Sequence, residues 1–257
     1  KRKTGLPFVI TEHTSSMMKP TIDQHLYKTA NEAYASADAL IAVSPGLREV
    51  IKGRFDKDAI YIPNIVDTKL FSYVSKSSDD IFRFISIGGL IVRKRMDLTI
   101  EAFAQAFGDN EKVTLTIFGE GPERGKLEDL IKKHKLAKRV NLMGLQSRKD
   151  IAKYLQTSDC FVLASQAETF GVVYTEALSA GVPVIATRCG GPEHFVNDGN
   201  GVFVHVDDLN ALVKAMRYMY NNAQKYDRQA IANSTIEQFS ASAVVSQLNQ
   251  VYKKIII

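Results

Sequence analysis

The chain has no tryptophan, two cysteines and seven prolines in 257 residues. Cys160 and Cys189 form no CxxC pair, and two thiols are too few for the disulfide framework of a small secreted domain. Cys160 lies in an apolar run and reads as a buried free thiol, the default in a reducing cytosol. No stretch approaches the ~18–20 consecutive apolar residues of a membrane span. No DxD-type pair or His/Cys cluster follows a predicted strand, so no metal site is expected. No secretion signal is evident. The chain opens Lys-Arg-Lys-Thr-Gly-Leu-Pro without an initiator methionine, and its start is expected to lie upstream.

Apolar residues make up 45% of the chain and charged residues 24%, the balance of a globular protein with a sizeable core. A net charge of +5 suits acidic small molecules, anionic membrane surfaces or nucleic acid, and does not choose among them. The charge is uneven: Arg124 to Lys149 holds nine Lys/Arg against two Asp/Glu. Such a run is either a solvated helix face or a binding patch. It has no aromatic interleaving and matches no nucleic-acid module, so nucleic acid is not an expected partner.

Short apolar runs alternate with amphipathic stretches, which predicts βα units on parallel sheets. The first series has strands at Pro7–Thr11, Ala39–Val43 and Ala59–Ile62. Its helices cover Asp23–Ala37 and a segment entered at Ser44-Pro45, an N-cap followed by proline at the first helical position. The pattern stops from Asn64 to Asp80, where Ser75-Lys-Ser-Ser-Asp-Asp80 reads as a linker. A second series follows, with strands Phe82–Ile87, Val113–Phe118, Val140–Met143, Cys160–Ala164, Val184–Ala186 and Gly201–Val204. Its helices are expected at Met96–Phe107, Glu123–His134, Ser147 to about Gln156, Gly171–Ala180, near Pro192–Val196 and Asp208–Asn221. Two more helices, divided near Ser240, complete the chain. The expected organisation is residues 1–66 as the end of a first domain, 67–80 as linker, 81–222 as a complete doubly wound domain, and 223–257 as helices packing back toward the first.

In an open α/β sheet, ligands bind beyond the carboxyl ends of the strands. Gly88-Gly89, Gly119-Glu-Gly121-Pro122, Gly144, Gly171 and Gly190-Gly191 all follow predicted strands there. Glycine permits close backbone approach to a ligand, and a following helix N-terminus holds phosphate. Glu168 falls in the loop after strand Cys160–Ala164, and Glu176 about one turn into the next helix. Two carboxylates flanking unpaired N–H groups suit a polyhydroxyl ligand bearing phosphate. Taken alone, they read rather as an ordinary loop-and-helix pair of surface glutamates.

The segment Leu163-Ala-Ser-Gln-Ala-Glu-Thr-Phe-Gly-Val-Val-Tyr-Thr-Glu-Ala-Leu-Ser-Ala-Gly-Val-Pro-Val-Ile-Ala-Thr187 resembles the E-x7-E signature of the retaining GT-B glycosyltransferases of family 4, the glycosyl transferases group 1. Gly190-Gly-Pro-Glu193 resembles that family's next loop, Ile62–Phe71 its interdomain segment, and Ser44 lies in its Ala-Val-Ser element. The resemblance runs from about Leu6 to Asn221. It implies a GT-B fold in which Glu168 contacts the donor sugar, with the N–H groups of Phe170, Gly171 and Val172 near sugar or phosphate. It places Glu176 on the ribose; Gly119 and Gly121, in one of the glycine loops at the strand ends, are expected to line the same nucleotide site. Lys94 matches the lysine that binds the diphosphate leaving group, although within Arg93-Lys-Arg95 it also reads as a solvated cation. His13 matches a histidine facing the donor sugar, or is merely structural. The family's usual second diphosphate ligand, an arginine, is replaced here by Gly89, and its usual glycine after the lysine by Arg95. Either Arg93 or Arg95 supplies the missing charge, or the diphosphate is held more weakly.

The family further implies metal-independent retention by front-face return with no cofactor, and a UDP- or GDP-sugar as donor. A hexose or N-acetylhexosamine would pass to a glycan or lipid-linked acceptor, in the cytoplasm or peripherally at the inner membrane surface. A fragment of this kind is expected to be poorly active alone. The alternative is a non-catalytic nucleotide-sugar-binding subunit.

Overall fold

The computed structural model describes residues 5–76 and 79–256. Residues 1–4 and 257, and positions 77 and 78 of the expected linker, lie outside the described residues. Two parallel sheets organise the rest. The first has the order β1 (Val9–Glu12), β2 (Ala39–Ala42), β3 (Ile60–Tyr61), with α1 (Gln24–Ser36) and α2 (Pro45–Phe55) as its crossovers. The third strand is shorter than expected, although Ile62 still donates its N–H to the Ala42 carbonyl.

The second sheet has six strands: β4 (Phe82–Ile87), β5 (Val113–Phe118), β6 (Val140–Leu142), β7 (Cys160–Leu163), β8 (Val184–Thr187) and β9 (Gly201–Val204). Their spatial order is β6-β5-β4-β7-β8-β9, every pairing parallel. Chain order therefore reverses direction at β4, whose two neighbours are β5 and β7. Helices cover both faces of such a sheet, so its inner strands are buried on both sides: every residue of β7 and β8 is buried. The helices are α3 (Met96–Phe107), α4 (Arg124–Lys133), α5 (Arg148–Thr157), α6 (Val172–Ser179), α7 (Leu209–Asn222), α8 (Arg228–Phe239) and α9 (Ala241–Ile256).

Side-chain caps set most of the helix starts. Asp23, Ser44, Ser147, Asp208 and Asp227 each accept a first-turn backbone N–H. Two 3₁₀ turns, Ser15–Met18 and Val92–Lys94, escape periodicity because three or four residues carry no detectable repeat. The polar segment read as a linker is anchored by its few apolar residues. Val66 and Phe71 are buried, Val66 donates to the Phe239 carbonyl, and Lys76 pairs with Asp159 at 2.6 Å. The last helix, α9, lays Val244 and Val251 on Ile41 of β2 and on Ile62, just after β3.

The turns after β4 and β5 lie backbone against backbone. Gly88 donates to Phe118, Leu90 to Glu120, and Gly119 to Gly144. Gly119 has φ +138°, and a Cβ there would collide with the Gly88 carbonyl; one on Gly121 would strike the Leu90 carbonyl. Here the fold's own chain demands the missing side chains. Gly119→Ala is expected to destabilise the protein by about 2 kcal/mol or more in urea unfolding, the cost of a forced backbone outlier. Gly53→Ala, in α2 with open space around it, is the control and should gain about 0.5–1 kcal/mol. Equal effects at the two positions would contradict this packing.

Candidate active site

The reversal at β4 leaves a crevice between the loops that follow β4 and β7, where a doubly wound sheet binds its ligands. Lys94 ends the 3₁₀ turn after β4, and Glu168 lies in the loop after β7. The Lys94 ammonium donates to Glu168 Oε1 at 2.5 Å, with both side chains largely buried. Two further bonds stitch the loops: Gln166 N–H donates to the Arg93 carbonyl at 2.8 Å, and the Arg93 side chain donates through Nη1 to the Ala167 carbonyl at 2.5 Å.

Immediately beyond Glu168, α6 begins. Its N-cap, Gly171, has φ +92° and no side chain to cap the helix, and a Cβ there would meet the Tyr174 ring at 2.8 Å. Tyr174 is fully buried, donates its hydroxyl to the Leu163 carbonyl at 2.8 Å and packs edge-on against Phe161. The ring thus fixes the helix start against β7. The first amides of α6 have no intrahelical carbonyl to donate to, the general condition under which a helix start favours an anion. Phe170 is buried against Phe195 and Phe239, while Val172 is partly buried.

Glu176 lies on α6 and is 4% exposed. Burial raises its carboxyl pKa, and Arg148, 3.0 Å away from α5, opposes that shift. The Arg148 guanidinium also lies 5.0 Å over the buried ring of Phe71. Sequence reading missed Arg148. Its signal was weak, since an arginine one residue inside a capped helix looks like any surface cation.

The remaining expected residues fall in four places. Gly89 is exposed, and a Cβ added to it would meet nothing closer than the Glu120 carbonyl at 3.8 Å, so the position has room for a side chain. Gly119 and Gly121 support the crevice floor through the turn contacts described above. Arg95 is engaged elsewhere: its guanidinium bonds Asp97 and Asp207, in the turn before α7. Both Arg95 (φ 49°) and Asp207 (φ 60°) hold left-handed backbone. That conformation costs a non-glycine residue roughly 1–2 kcal/mol, whereas a partly exposed ion pair contributes about 0.2–1 kcal/mol.

His13 follows β1 and reaches the crevice through its main chain. Thr169 Oγ1 donates to the His13 carbonyl at 3.3 Å, next to Glu168. Glu12 holds this turn from behind, accepting the Tyr34 hydroxyl at 2.5 Å and the Thr14 N–H at 2.6 Å. A second bridge joins the sheets where Gly46 N–H donates to His194 Nε2 at 3.2 Å. Among the described residues no group of three His, Cys, Asp or Glu could hold a metal, and no helix is long and apolar enough to cross a membrane. Both cysteines are free; burial pushes the Cys189 thiol up to about 12 and raises that of Cys160 as well.

The chain is 28% identical over 250 residues to one of the subunits of phosphatidylinositol N-acetylglucosaminyltransferase from Arabidopsis thaliana, covering 91% of this chain and 56% of that protein. It is 26% identical to N-acetyl-alpha-D-glucosaminyl L-malate synthase of Bacillus anthracis, covering 96% and 68%. The chain thus spans about half to two thirds of these relatives. Among solved structures, sucrose-phosphate synthase from Thermosynechococcus elongatus superposes with a TM-score of 0.87 at 22% identity, over 99% of this chain and 69% of that one. Anabaena HepE, solved in complex with UDP, superposes with a TM-score of 0.84 at 21% identity, over 96% and 72%. These likenesses establish the GT-B fold. The family model for glycosyl transferases group 1 matches residues 68–236, well over half of the 257, and the chain belongs to that family.

Proposed function

We propose that the full-length protein is a retaining glycosyltransferase that moves a hexose or N-acetylhexosamine from a UDP- or GDP-sugar to a glycan or lipid-linked acceptor. The observation that carries this is the Lys94–Glu168 pair at the uncapped start of α6, with Glu176 buried farther along the same helix. Relatives named for N-acetylglucosaminyl transfer, one of them to phosphatidylinositol, support an amino-sugar donor and a lipid-linked acceptor as the first to try.

In this scheme Glu168 accepts hydrogen bonds from the donor sugar, and Glu176 accepts them from the ribose hydroxyls. The amides of Phe170, Gly171 and Val172 face the phosphates, with His13 across the crevice. The bond from the anomeric carbon to the diphosphate oxygen breaks, and a bond to the acceptor oxygen forms on the same face. The acceptor proton leaves on the diphosphate. Lys94, with Arg93 beside it, stabilises the charge that develops on the departing oxygen, the role a preorganised cation fills best. One observation favours the second reading, a nucleotide-sugar-binding subunit without turnover: Gly89 brings no charge and Arg95 is committed to two carboxylates.

Glu168→Ala and Lys94→Ala in the full-length protein should each lower transfer by about 10²–10³-fold; unimpaired transfer by either would refute the assigned roles. Gly89→Arg should tighten nucleotide-diphosphate binding. If it creates transfer where the wild type shows binding alone, the subunit reading gains. Nucleotide affinity should also depend on pH through Glu176. The ribose site needs the carboxylate, whose folded pKa lies above its ordinary value, so affinity should fall on acidification earlier than an unperturbed glutamate would allow. Arg148→Ala removes the opposing cation and should move that fall to higher pH in calorimetric titrations. An unmoved profile would contradict it.

A further inference from the structure

The geometry points to Asp207 as a positioning residue for the donor site, acting through Arg95 and Gln166. The inference rests on the donor-site assignment above. Asp207 lies in the turn between β9 and α7, and its carboxylate bridges two other loops. One oxygen accepts the Arg95 guanidinium, and the other accepts Gln166 Nε2 at 2.9 Å. Arg95 immediately follows Lys94, and Gln166 precedes Glu168 by two residues. A single side chain from a third loop thus ties together the neighbours of the two residues whose ion pair forms the crevice.

The two ends of this latch are the telling feature. Arg95 and Asp207 both hold left-handed backbone and pair with each other, Arg95 bonding Asp97 as well and Asp207 accepting Gln166. Asp207 is 45% exposed at the side chain, so the ion pair itself adds little to stability. Geometry accounts for the arrangement better than stability does. Without the latch, the loop carrying Lys94 is joined to the loop carrying Glu168 by the Gln166 N–H on the Arg93 carbonyl, by the Arg93 and Ser165 side chains and by the pair itself, none of which reaches the third loop. Transition-state stabilisation is sensitive to small displacements of a charged group, more than ground-state binding is. The latch also explains the fate of the Arg95 charge: it acts on the site by holding Lys94.

The test uses Asp207→Gly and Arg95→Gly in the full-length protein, because glycine suits φ near +50° and keeps both turns foldable. Each should leave Tm unchanged or raised, lower kcat about tenfold, and change donor KM by less than about threefold. The double variant should be no slower than either single one, since both remove one device. Asp207→Asn, which tolerates left-handed backbone and keeps an acceptor for Arg95, should recover most of the loss. Glycine variants with wild-type kcat, losses that multiply in the double variant, or a loss that follows a fall in Tm would overturn the latch. A wild-type protein that binds neither UDP nor GDP, or binds without turnover, would overturn the catalytic reading and the latch with it. Wild-type turnover with unimpaired glycine variants would overturn the latch alone.

Discussion

The reversal of strand order at β4 governs the rest of the structure. Because β5 and β7 flank β4 on opposite sides, the crossovers after β4 and β7 leave in opposite directions, and their loops meet at the carboxyl edge of the sheet, where such a fold binds its ligands. Lys94 and Glu168, 74 residues apart in the chain, meet there at 2.5 Å. The same arrangement aims the start of α6 into the crevice, and Tyr174 fixes that start by anchoring on β7. Cation, carboxylate and unpaired amides are therefore held in place by the sheet.

The surrounding contacts keep that crevice in register. The glycine turns after β4 and β5 pack main chain to main chain, so the floor has little freedom. The first sheet closes from above through two side-chain bridges, Thr169 to His13 and His194 to Gly46. Glu12, clasped by Tyr34, holds the His13 turn. Burial and ion pairing divide the two glutamates: Glu168 faces a lysine in the crevice, whereas Glu176 is buried farther along α6 with a raised pKa and one arginine in opposition.

Much of this was legible in the sequence because the informative features are local. Continuous apolar strands, Asp and Ser caps and the Glu168–Glu176 spacing each depend on neighbours within about ten residues. What escaped depends on distant partners. Arg148 acquires meaning only once α5 lies beside α6, and Asp207 only once its turn meets the loops of Arg95 and Gln166. The glycines were read as space for a ligand, yet at Gly119 and Gly121 the fold's own backbone claims that space. The segment 64–76, polar enough to suggest a linker, is pinned by Val66, Phe71 and the Lys76–Asp159 pair, since a few buried contacts outweigh average composition.

The central claim is that one nucleotide-sugar site lies between the β4 and β7 loops. The most direct measurement is a crystal structure of the protein with UDP or GDP, whichever binds. The ribose hydroxyls should lie within hydrogen-bond distance of Glu176, and the diphosphate at the start of α6 beside Lys94. A nucleotide bound elsewhere, or a ribose turned away from Glu176, would contradict the account.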